Sequence, residues 1–388
     1  MTADSGSMTA DRRIRVLLVD SSDRGGIARY SAALRDGLVA AGAEVVLAAP
    51  PPAGDAEVLL HPRHWGPEMA GRGRLRVYAR RVTEVAPATG ALLGALRRTR
   101  PDVVHFQSEI VPGIDHVLVR LARRSCAVVI TLHDPFPLEG GARAAADQAR
   151  RWRAADALIV HAQDQRFFVE ASAPGVAVHV VPVDLPLGGS LRHERADARR
   201  RLGLSPEAPA ALLLGQLRPY KGLRLLCEAW PLVMESVPDA QLLVVGEAYP
   251  SDDLSRLRST GGVTVVEGFV AEGDLALWTA AADVVVLPYG VGGHSGVLHR
   301  ALVAGTPVMA SPSLAEEVWR TGAGLVVPLQ AAAWADALVS ALGSSPIPAP
   351  KASPGVESVS RTLAVYDEVL AGRARRGRRR PDGGGGGS

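Results

Sequence analysis

The stretch ALLLGQLRPYKGLRLL, residues 211–226, decides how the rest of this chain is interpreted. It begins with a short apolar run typical of a buried β-strand, passes through a turn containing Gly and Pro, and continues as an amphipathic helix pattern. The turn holds Lys221, one of only two lysines in a chain with 41 arginines. A compact ammonium suits a phosphate oxygen in a tight pocket, while incomplete codon bias is the alternative reason for this lysine.

The same succession of strand and helix recurs on both sides of this stretch. Strand patterns occupy residues 14–20, 43–49, 101–106, 127–134, 157–162, 210–215, 240–246, 263–268, 283–289 and 306–311. Strands separated by helices form parallel βαβ units, so the sequence predicts an α/β fold with two doubly wound Rossmann-like domains. Ligands of such sheets bind beyond the carboxyl ends of the strands, and we therefore expect the functional site in a cleft between the domains.

The chain is expected to divide into five segments. These are a disordered N-terminus (1–12), a first domain (13–190), a second domain (205–345), a last helix that packs back on the first domain (356–372), and a disordered basic and Gly-rich tail (373–388). The chain length, 388 residues, supports two domains because it exceeds what one hydrophobic core usually organises.

Composition restricts the partners. A formal net charge of +3 gives no general case for nucleic acid, and none is expected. The two cysteines, Cys126 and Cys227, lie in apolar runs and fit reduced core residues of a cytoplasmic protein. No signal sequence or membrane-length apolar run is recognised, so we expect a soluble or peripheral protein. The arginine-rich run from Arg373 to Arg380 is a candidate contact with an anionic membrane surface.

Five segments of the second half carry a family resemblance. They are LLLGQLRPYKGLRLLCEAW, LLVVGEAY, VEGFVAEGDLALWTAAADVVVLPY, SGVLHRALVAGTPVMAS and GAGLVVP. In order and spacing they resemble the donor domain of retaining GT-B glycosyltransferases of group 1, or family 4, and PDVVHFQ, VVITLHD and ALIVHA resemble the acceptor domain more loosely. The resemblance implies transfer of a sugar from a nucleoside diphosphate sugar to a glycan, lipid-linked or small-molecule acceptor, with no metal or other cofactor.

The resemblance also implies roles for three catalytic positions. Arg218 and Lys221 would stabilise the diphosphate that leaves as the glycosidic bond breaks. His133, at the end of a strand, would hydrogen-bond a hydroxyl of the transferred sugar. Family members more often have Arg directly after the strand's glycine, where this chain has Gln216, and a pattern with Arg two places later also occurs.

Seven further positions are implied in donor binding, namely Gly25, Gly26, Gly215, His294, Ser295, Gly296 and Val297. The Gly25–Gly26 pair would let a phosphate or the acceptor approach the backbone, although a plain tight turn is the simpler interpretation. Free backbone N–H groups from Ser295 to Val297, at a helix N-terminus, would receive phosphate oxygens. Ser295 is also a good helix cap.

Two positions depart from the family pattern. Many members carry glutamates eight residues apart that contact the donor sugar and the ribose, and Gly292 and Arg300 occupy those positions here. The identity of the donor is therefore open.

Other histidines are interpreted as structural. His105 and His161 end buried strands and are expected to be core residues, and His61 and His64 are expected in a solvated loop because no third ligand lies near them.

Alternative functions remain open at this stage. An epimerase or phosphorylase of nucleotide sugars could use the same scaffold, and a non-catalytic binding protein of the same fold would explain the missing glutamates. A dehydrogenase is disfavoured because neither half has the glycine fingerprint of dinucleotide sites.

Overall fold

The computed structural model describes residues 13–22, 25–50, 58–59, 87, 89–108, 115–136, 141–184, 193–249, 251–292, 294–343, 345, 347–350 and 357–378. The segment 1–12, the residues from 379 onward, and His61 and His64 lie outside these ranges, so the expectations about them stay predictions.

The first half contains a seven-stranded parallel sheet with the order β3-β2-β1-β4-β5-β6-β7. Its strands are β1 (Arg15–Val19), β2 (Glu44–Ala49), β3 (Val58–Leu59), β4 (Val103–Phe106), β5 (Ala127–Thr131), β6 (Ala157–Val160) and β7 (Ala177–Val180). The helices between them are α1 (Gly26–Ala40), α2 (89–99), α3 (Asp115–Ser125), α4 (Gly141–Ala154) and α5 (Gln163–Ser172).

The second half contains a six-stranded parallel sheet with the order β10-β9-β8-β11-β12-β13. Its strands are β8 (Ala210–Leu214), β9 (Gln241–Gly246), β10 (Val263–Glu267), β11 (Val284–Leu287), β12 (Val308–Ala310) and β13 (Gly324–Val326). Its helices are α6 (Arg195–Leu202), α7 (Leu223–Ser236), α8 (Asp252–Arg258), α9 (Glu272–Ala281), α10 (Gly296–Ala304), α11 (Ala315–Thr321) and α12 (Ala331–Leu342).

Both sheets are buried on both faces, which explains the continuous apolar runs in the sequence. In β1, Leu17 and Val19 belong to one apolar cluster while Val16 and Leu18 belong to another, as expected when successive side chains point to opposite faces. The strand order reverses between β1 and β4 and again between β8 and β11. These switch points of doubly wound sheets are where ligands bind, and the predicted two Rossmann-like domains are confirmed.

The last helix, α13 (Glu357–Arg378), packs on the first half and is longer than expected. Tyr366 is fully buried in an apolar cluster with residues of the first sheet. The expectation that the chain is free from Arg373 onward is wrong, because the helix continues and binds Asp156. Arg373 lies 3.5 Å and Arg376 3.1 Å from carboxylate oxygens of Asp156. Arg123 pairs with the same carboxylate at 2.9 Å.

A carboxylate from the first half caps the start of α13. Asp184 Oδ2 accepts the N–H of Glu357 and Asp184 Oδ1 accepts the N–H of Ser358, each at 2.9 Å. The Ser358 hydroxyl also donates to Asp184. Helix N-terminal N–H groups have no partner within the helix, so this buried carboxylate satisfies two of them and fixes where the last helix returns.

None of the helices in the described ranges is both long enough and apolar enough to cross a membrane.

We expect Asp184→Ala to lower the free energy of unfolding by about 2 kcal/mol or more, since it removes charge-assisted bonds to buried donors. Urea unfolding followed by circular dichroism measures this change. The control is Asp367→Ala, at an exposed position within α13, the helix that Asp184 caps; it should stay within about 0.5 kcal/mol of the parent. Equal effects of the two substitutions would contradict the capping role.

Candidate active site

A cavity of about 610 Å³ lies between the carboxyl ends of the two sheets and is lined from both halves. The first half contributes Gly25, Gly26, Arg29, His133 and Asp134, and the second contributes Gly215, Gln216, Lys221, Glu247, Tyr289, Gly292, His294, Ser295, Gly296, Val297 and Arg300, among others. All but one of the residues predicted from the sequence to form the site therefore line one space.

Lys221 is the most constrained of these residues. It ends a short 3₁₀ turn, Pro219–Lys221, and is only 6% exposed. Its Nζ donates to the hydroxyl of Tyr289 at 3.0 Å and lies 4.7 Å from the centre of that ring. Burial lowers the pKa of Lys221, and the nearby charge of Arg218 acts in the same direction. Gly215 leaves room for this ammonium, because a Cβ there would lie 3.0 Å from Nζ.

Arg218 is the exception among the predicted site residues. It does not belong to the lining of the cavity but stacks beside it, with its guanidinium carbon 4.4 Å from the ring centre of Tyr249 and Nη2 3.0 Å from that hydroxyl. Its charge acts on the cavity, since it opposes the desolvation that raises the pKa of Asp134 to about 6.

The N-terminus of α10 faces the cavity. Ser295 caps the helix, and its Oγ accepts the N–H of Leu298 at 3.4 Å. The expectation that the Ser295 N–H is free is wrong, because it donates to Glu317 Oε2 at 2.8 Å. Gly296 and Val297 are the first two residues of the helix, and backbone N–H groups at such positions have no partner within the helix. These two residues are the part of the loop that can meet an anion.

Glu317 is a residue that the sequence analysis missed. It lies in α11, is 5% exposed, and also accepts a bond from His299 Nε2 at 2.6 Å. Glu317 thus holds both the N-cap residue Ser295 and the α10 residue His299 in place. Gly292 and Arg300, which stand where many family members have glutamates, both line the cavity, and Arg300 is buried in its wall.

Three histidines converge at the same place. His133 and His161 follow the ends of β5 and β6, and His161 Nε2 lies 3.1 Å from His133 Nδ1. His294 comes from the second half, with its ring centre 4.7 Å from that of His161 and 6.0 Å from that of His133. Burial lowers the pKa of all three, that of His161 to about 4, so they are neutral at pH 7. His161 is buried as predicted, but its contact with the site was missed.

His105, by contrast, is a core residue as expected. It is fully buried, with Nδ1 2.7 Å from the Tyr366 hydroxyl and Nε2 2.7 Å from Thr131 Oγ1. These bonds join α13 to the first sheet.

The Gly25–Gly26 turn begins α1. Gly25 has a φ of +90°, which favours glycine, and no atom lies within 4 Å of the position of a Cβ at either residue. The backbone here is therefore open toward the cavity, and packing against the protein does not require these glycines to be small.

Family models match both halves of the chain. Residues 208–344 match the model described as glycosyl transferases group 1, and residues 24–183 match that of glycosyltransferase family 4. The chain belongs to the group 1 glycosyltransferases.

Curated relatives of this family member are similar over part of their length. A D-inositol 3-phosphate glycosyltransferase from Segniliparus rotundus is 32% identical over 145 residues, 34% of this chain and 31% of that protein. A phosphatidyl-myo-inositol mannosyltransferase from Mycobacterium leprae is 36% identical over 206 residues, 48% of this chain and 54% of that protein. The chain thus spans about a third to a half of the length of these two relatives.

Solved structures share the fold of this family member over nearly its whole length. Sucrose-phosphate synthase from Thermosynechococcus elongatus aligns with a TM-score of 0.64 and 22% identity, covering 95% of this chain and 99% of that chain. Anabaena Alr3699/HepE in complex with UDP-glucose aligns with a TM-score of 0.64 and 15% identity, covering 94% and 100%. The predicted GT-B fold is confirmed.

We expect Lys221→Met to leave the free energy of unfolding at pH 7 unchanged or higher. The pKa of Lys221 is lower in the folded chain than the ordinary value, so the charged side chain destabilises the fold at any pH below that lowered pKa, and an apolar side chain of similar length removes this cost. Urea unfolding measures the change. Arg224→Met, at an exposed position one turn further along the chain, is the control. A loss above about 1 kcal/mol would contradict the assignment of a strained, ligand-directed ammonium.

Proposed function

We propose that this protein transfers a sugar from a nucleoside diphosphate sugar to an acceptor hydroxyl, with retention of configuration and without a metal in the transfer step. The observation that carries the proposal is that the ammonium of Lys221 and the N-terminus of α10 face one cavity. Lys221 Nζ contacts Tyr289 Oη at 3.0 Å, and Tyr289 Oη contacts Ser295 Oγ at 3.4 Å, so the two positive features are neighbours.

The charge of the cavity wall supports an anionic donor. Among the described residues that line it, Arg29, Lys221 and Arg300 carry positive charge, and Asp134 and Glu247 carry the carboxylates. A helix N-terminus adds partial positive charge that favours phosphate. In this proposal the diphosphate lies between Lys221 and the N–H groups of Gly296 and Val297. Arg218 adds a second positive charge at the rim, which stabilises the negative charge that the leaving diphosphate develops.

The neutral imidazoles suit the sugar. His133 and His294 both line the cavity, one from each half, with their ring centres 6.0 Å apart, and a neutral imidazole can both donate and accept bonds with hydroxyl groups. We place the transferred sugar against these two imidazoles on the cavity side, and the acceptor against the first half near the Gly25–Gly26 turn. A donor bound this way leaves its diphosphate beside the acceptor hydroxyl, where it can take the acceptor proton on the same face of the sugar.

The names of two relatives suggest a class of acceptor to test first. Both relatives described above are named for inositol-containing acceptors, and we propose a polyol or its phosphate or lipid conjugate as the first class to test. A cytoplasmic location, and contact of the arginine-rich run with an anionic membrane, stay predictions. Two of its arginines are already paired with Asp156.

The direct experiment is to incubate the protein with UDP- and GDP-sugars, with and without inositol acceptors, and to measure release of the nucleoside diphosphate. Acceptor-dependent release supports transfer, and the anomeric configuration of the product, read by NMR, tests retention. Isomerised donor without acceptor would indicate an epimerase, and phosphate-dependent sugar phosphate would indicate a phosphorylase. No calorimetric heat with either UDP or GDP would overturn nucleotide binding altogether.

We expect Lys221→Ala and Arg218→Ala each to lower turnover at least tenfold, because both act on charge that grows in the transition state. Lys221→Arg should fail as well, since the space beside Gly215 fits an ammonium. Steady-state kinetics with the best donor measures these effects. Arg224→Ala, an exposed arginine paired with Glu228 on α7, is the matched control and should keep parental turnover. Parental rates in the Arg218 and Lys221 variants would rule out the diphosphate assignment.

We expect His133→Ala to slow transfer at least tenfold while the dissociation constant for UDP or GDP changes less than about threefold, because the imidazole acts on the sugar and not on the nucleotide. Calorimetry gives the binding constant and initial rates give turnover. His116→Ala, on α3, serves as control. An equal loss in nucleotide affinity and turnover would move His133 from the sugar to the nucleotide.

A further inference from the structure

The contact between His133 and His161 has an unusual proton arrangement. His161 Nδ1 lies 2.9 Å from the carbonyl oxygen of Val181, which can only accept, so Nδ1 carries the proton and Nε2 of the neutral ring carries a lone pair. His133 Nε2 lies 3.1 Å from Gln107 Oε1, so by the same argument its Nδ1 carries a lone pair. These two lone pairs face each other at 3.1 Å.

The orientation of Gln107 is itself supported by a bond. Its Nε2 lies 3.1 Å from His105 Nε2, which also lies 2.7 Å from Thr131 Oγ1; in this arrangement the amide and the hydroxyl both donate to the one lone pair of that nitrogen, which leaves Gln107 Oε1 for His133. Gln107 is 1% exposed and cannot satisfy either group with water. If the amide is turned over, a proton moves to His133 Nδ1 and donates to His161, and the network closes without a cation. The two arrangements differ in one property: only the first needs a positive ion at the contact.

A third imidazole completes a ligand set. His133, His161 and His294 each offer a ring nitrogen, and these nitrogens all lie within 4.8 Å of one another. Three imidazole ligands at about 2.0–2.1 Å from Zn²⁺ in a tetrahedral site stand about 3.3 Å apart, close to the 3.1 Å between His133 and His161. The other ring nitrogen of His161 donates its N–H to the Val181 carbonyl oxygen, and that of His133 donates to Gln107 Oε1. Such hydrogen bonds orient histidines that bind a metal.

We propose that His133, His161 and His294 bind one Zn²⁺-class ion that bridges the two halves of the protein. Nitrogen-only ligands select Zn²⁺, Co²⁺, Ni²⁺ or Cu²⁺ over Mg²⁺, which prefers oxygen. His133 and His161 belong to the first half and His294 to the second, so the ion holds the cleft in one relative position. Its fourth ligand position faces the cavity.

The bound ion acts against the reaction. It occupies ring nitrogens of His133 and His294, the two imidazoles that the proposed function assigns to the hydroxyl groups of the sugar. Zn²⁺ is therefore an inhibitor of transfer and not a cofactor, and this consequence rests on the proposed function whereas the binding site does not.

The protein is first treated with a chelator, and the chelator is then removed. The metal-free protein is titrated with Zn²⁺ at pH 7 in a calorimeter. We expect one ion per chain in the parent, at least tenfold weaker binding in His161→Ala and His294→Ala, and parental binding in His116→Ala. Co²⁺ gives an independent reading, because four-coordinate Co²⁺ absorbs visible light far more strongly than six-coordinate Co²⁺. Absence of binding to the parent would overturn the site. Binding by the His161 and His294 variants as tight as that of the parent would overturn it too.

A thermal scan guards against loss of fold. His294 is only partly buried in a loop, so His294→Ala should unfold at the parental temperature without metal, and Zn²⁺ should raise the unfolding temperature of the parent but not of this variant. If transfer is measurable, Zn²⁺ lowers it and EDTA restores it. The calorimetric arm needs no donor, so failure of the metal site and failure of the proposed function are separate outcomes.

Discussion

One buried ammonium constrains much of the second half. An unpaired charge away from water costs several kcal/mol, and the hydroxyl and ring face of Tyr289 compensate part of this cost for Lys221. The backbone around it is adapted accordingly. Gly215 lacks a side chain where one would reach the ammonium, and Gly222 turns back against Pro288, where a Cβ would lie 2.2 Å from the carbonyl oxygen. The turn after β8 therefore accommodates a buried cation as well as the core residue Leu217.

This arrangement sets stability against binding. The cavity gathers more positive than negative side chains, so an anion that binds there is attracted by the surplus charge. Ser295 and Glu317 show the same balance at the helix N-terminus: the acid takes one N–H group for the fold and leaves the next two toward the cavity. The loop is held rigid by a side chain that does not itself line the cavity, which keeps its donors in place before a ligand binds.

The sequence predicted the central strands of both sheets and the edge strand β10, and it missed the edge strands β3, β7 and β13. β7 and β13 are edge strands with partly exposed residues, so their apolar signal is weak. The end of α13 was misjudged because Arg373 and Arg376 were interpreted as a solvated run, and the carboxylate that pairs with them, Asp156, lies far away in the chain.

The site was predictable to the extent that it follows strand ends. Gly215, Lys221 and His133 lie in loops that leave the carboxyl edge of a sheet, and parallel topology gathers the loops of each sheet at one edge. His161 and Glu317 were missed because their roles depend on neighbours from other elements. No periodicity in the sequence brings His294 of one half beside His161 of the other, since that contact is decided by how the two sheets face each other.

Helix α13 has a consequence for how the protein is made. The chain completes the first sheet, builds the whole second half, and only then supplies the helix that covers a face of the first core through Tyr366 and Asp184. During synthesis that face has no cover until α13 has left the ribosome. The first half is thus translated before the second half but completes its folding after it. Until α13 arrives, the uncovered apolar face of the first half is open to aggregation and to chaperones.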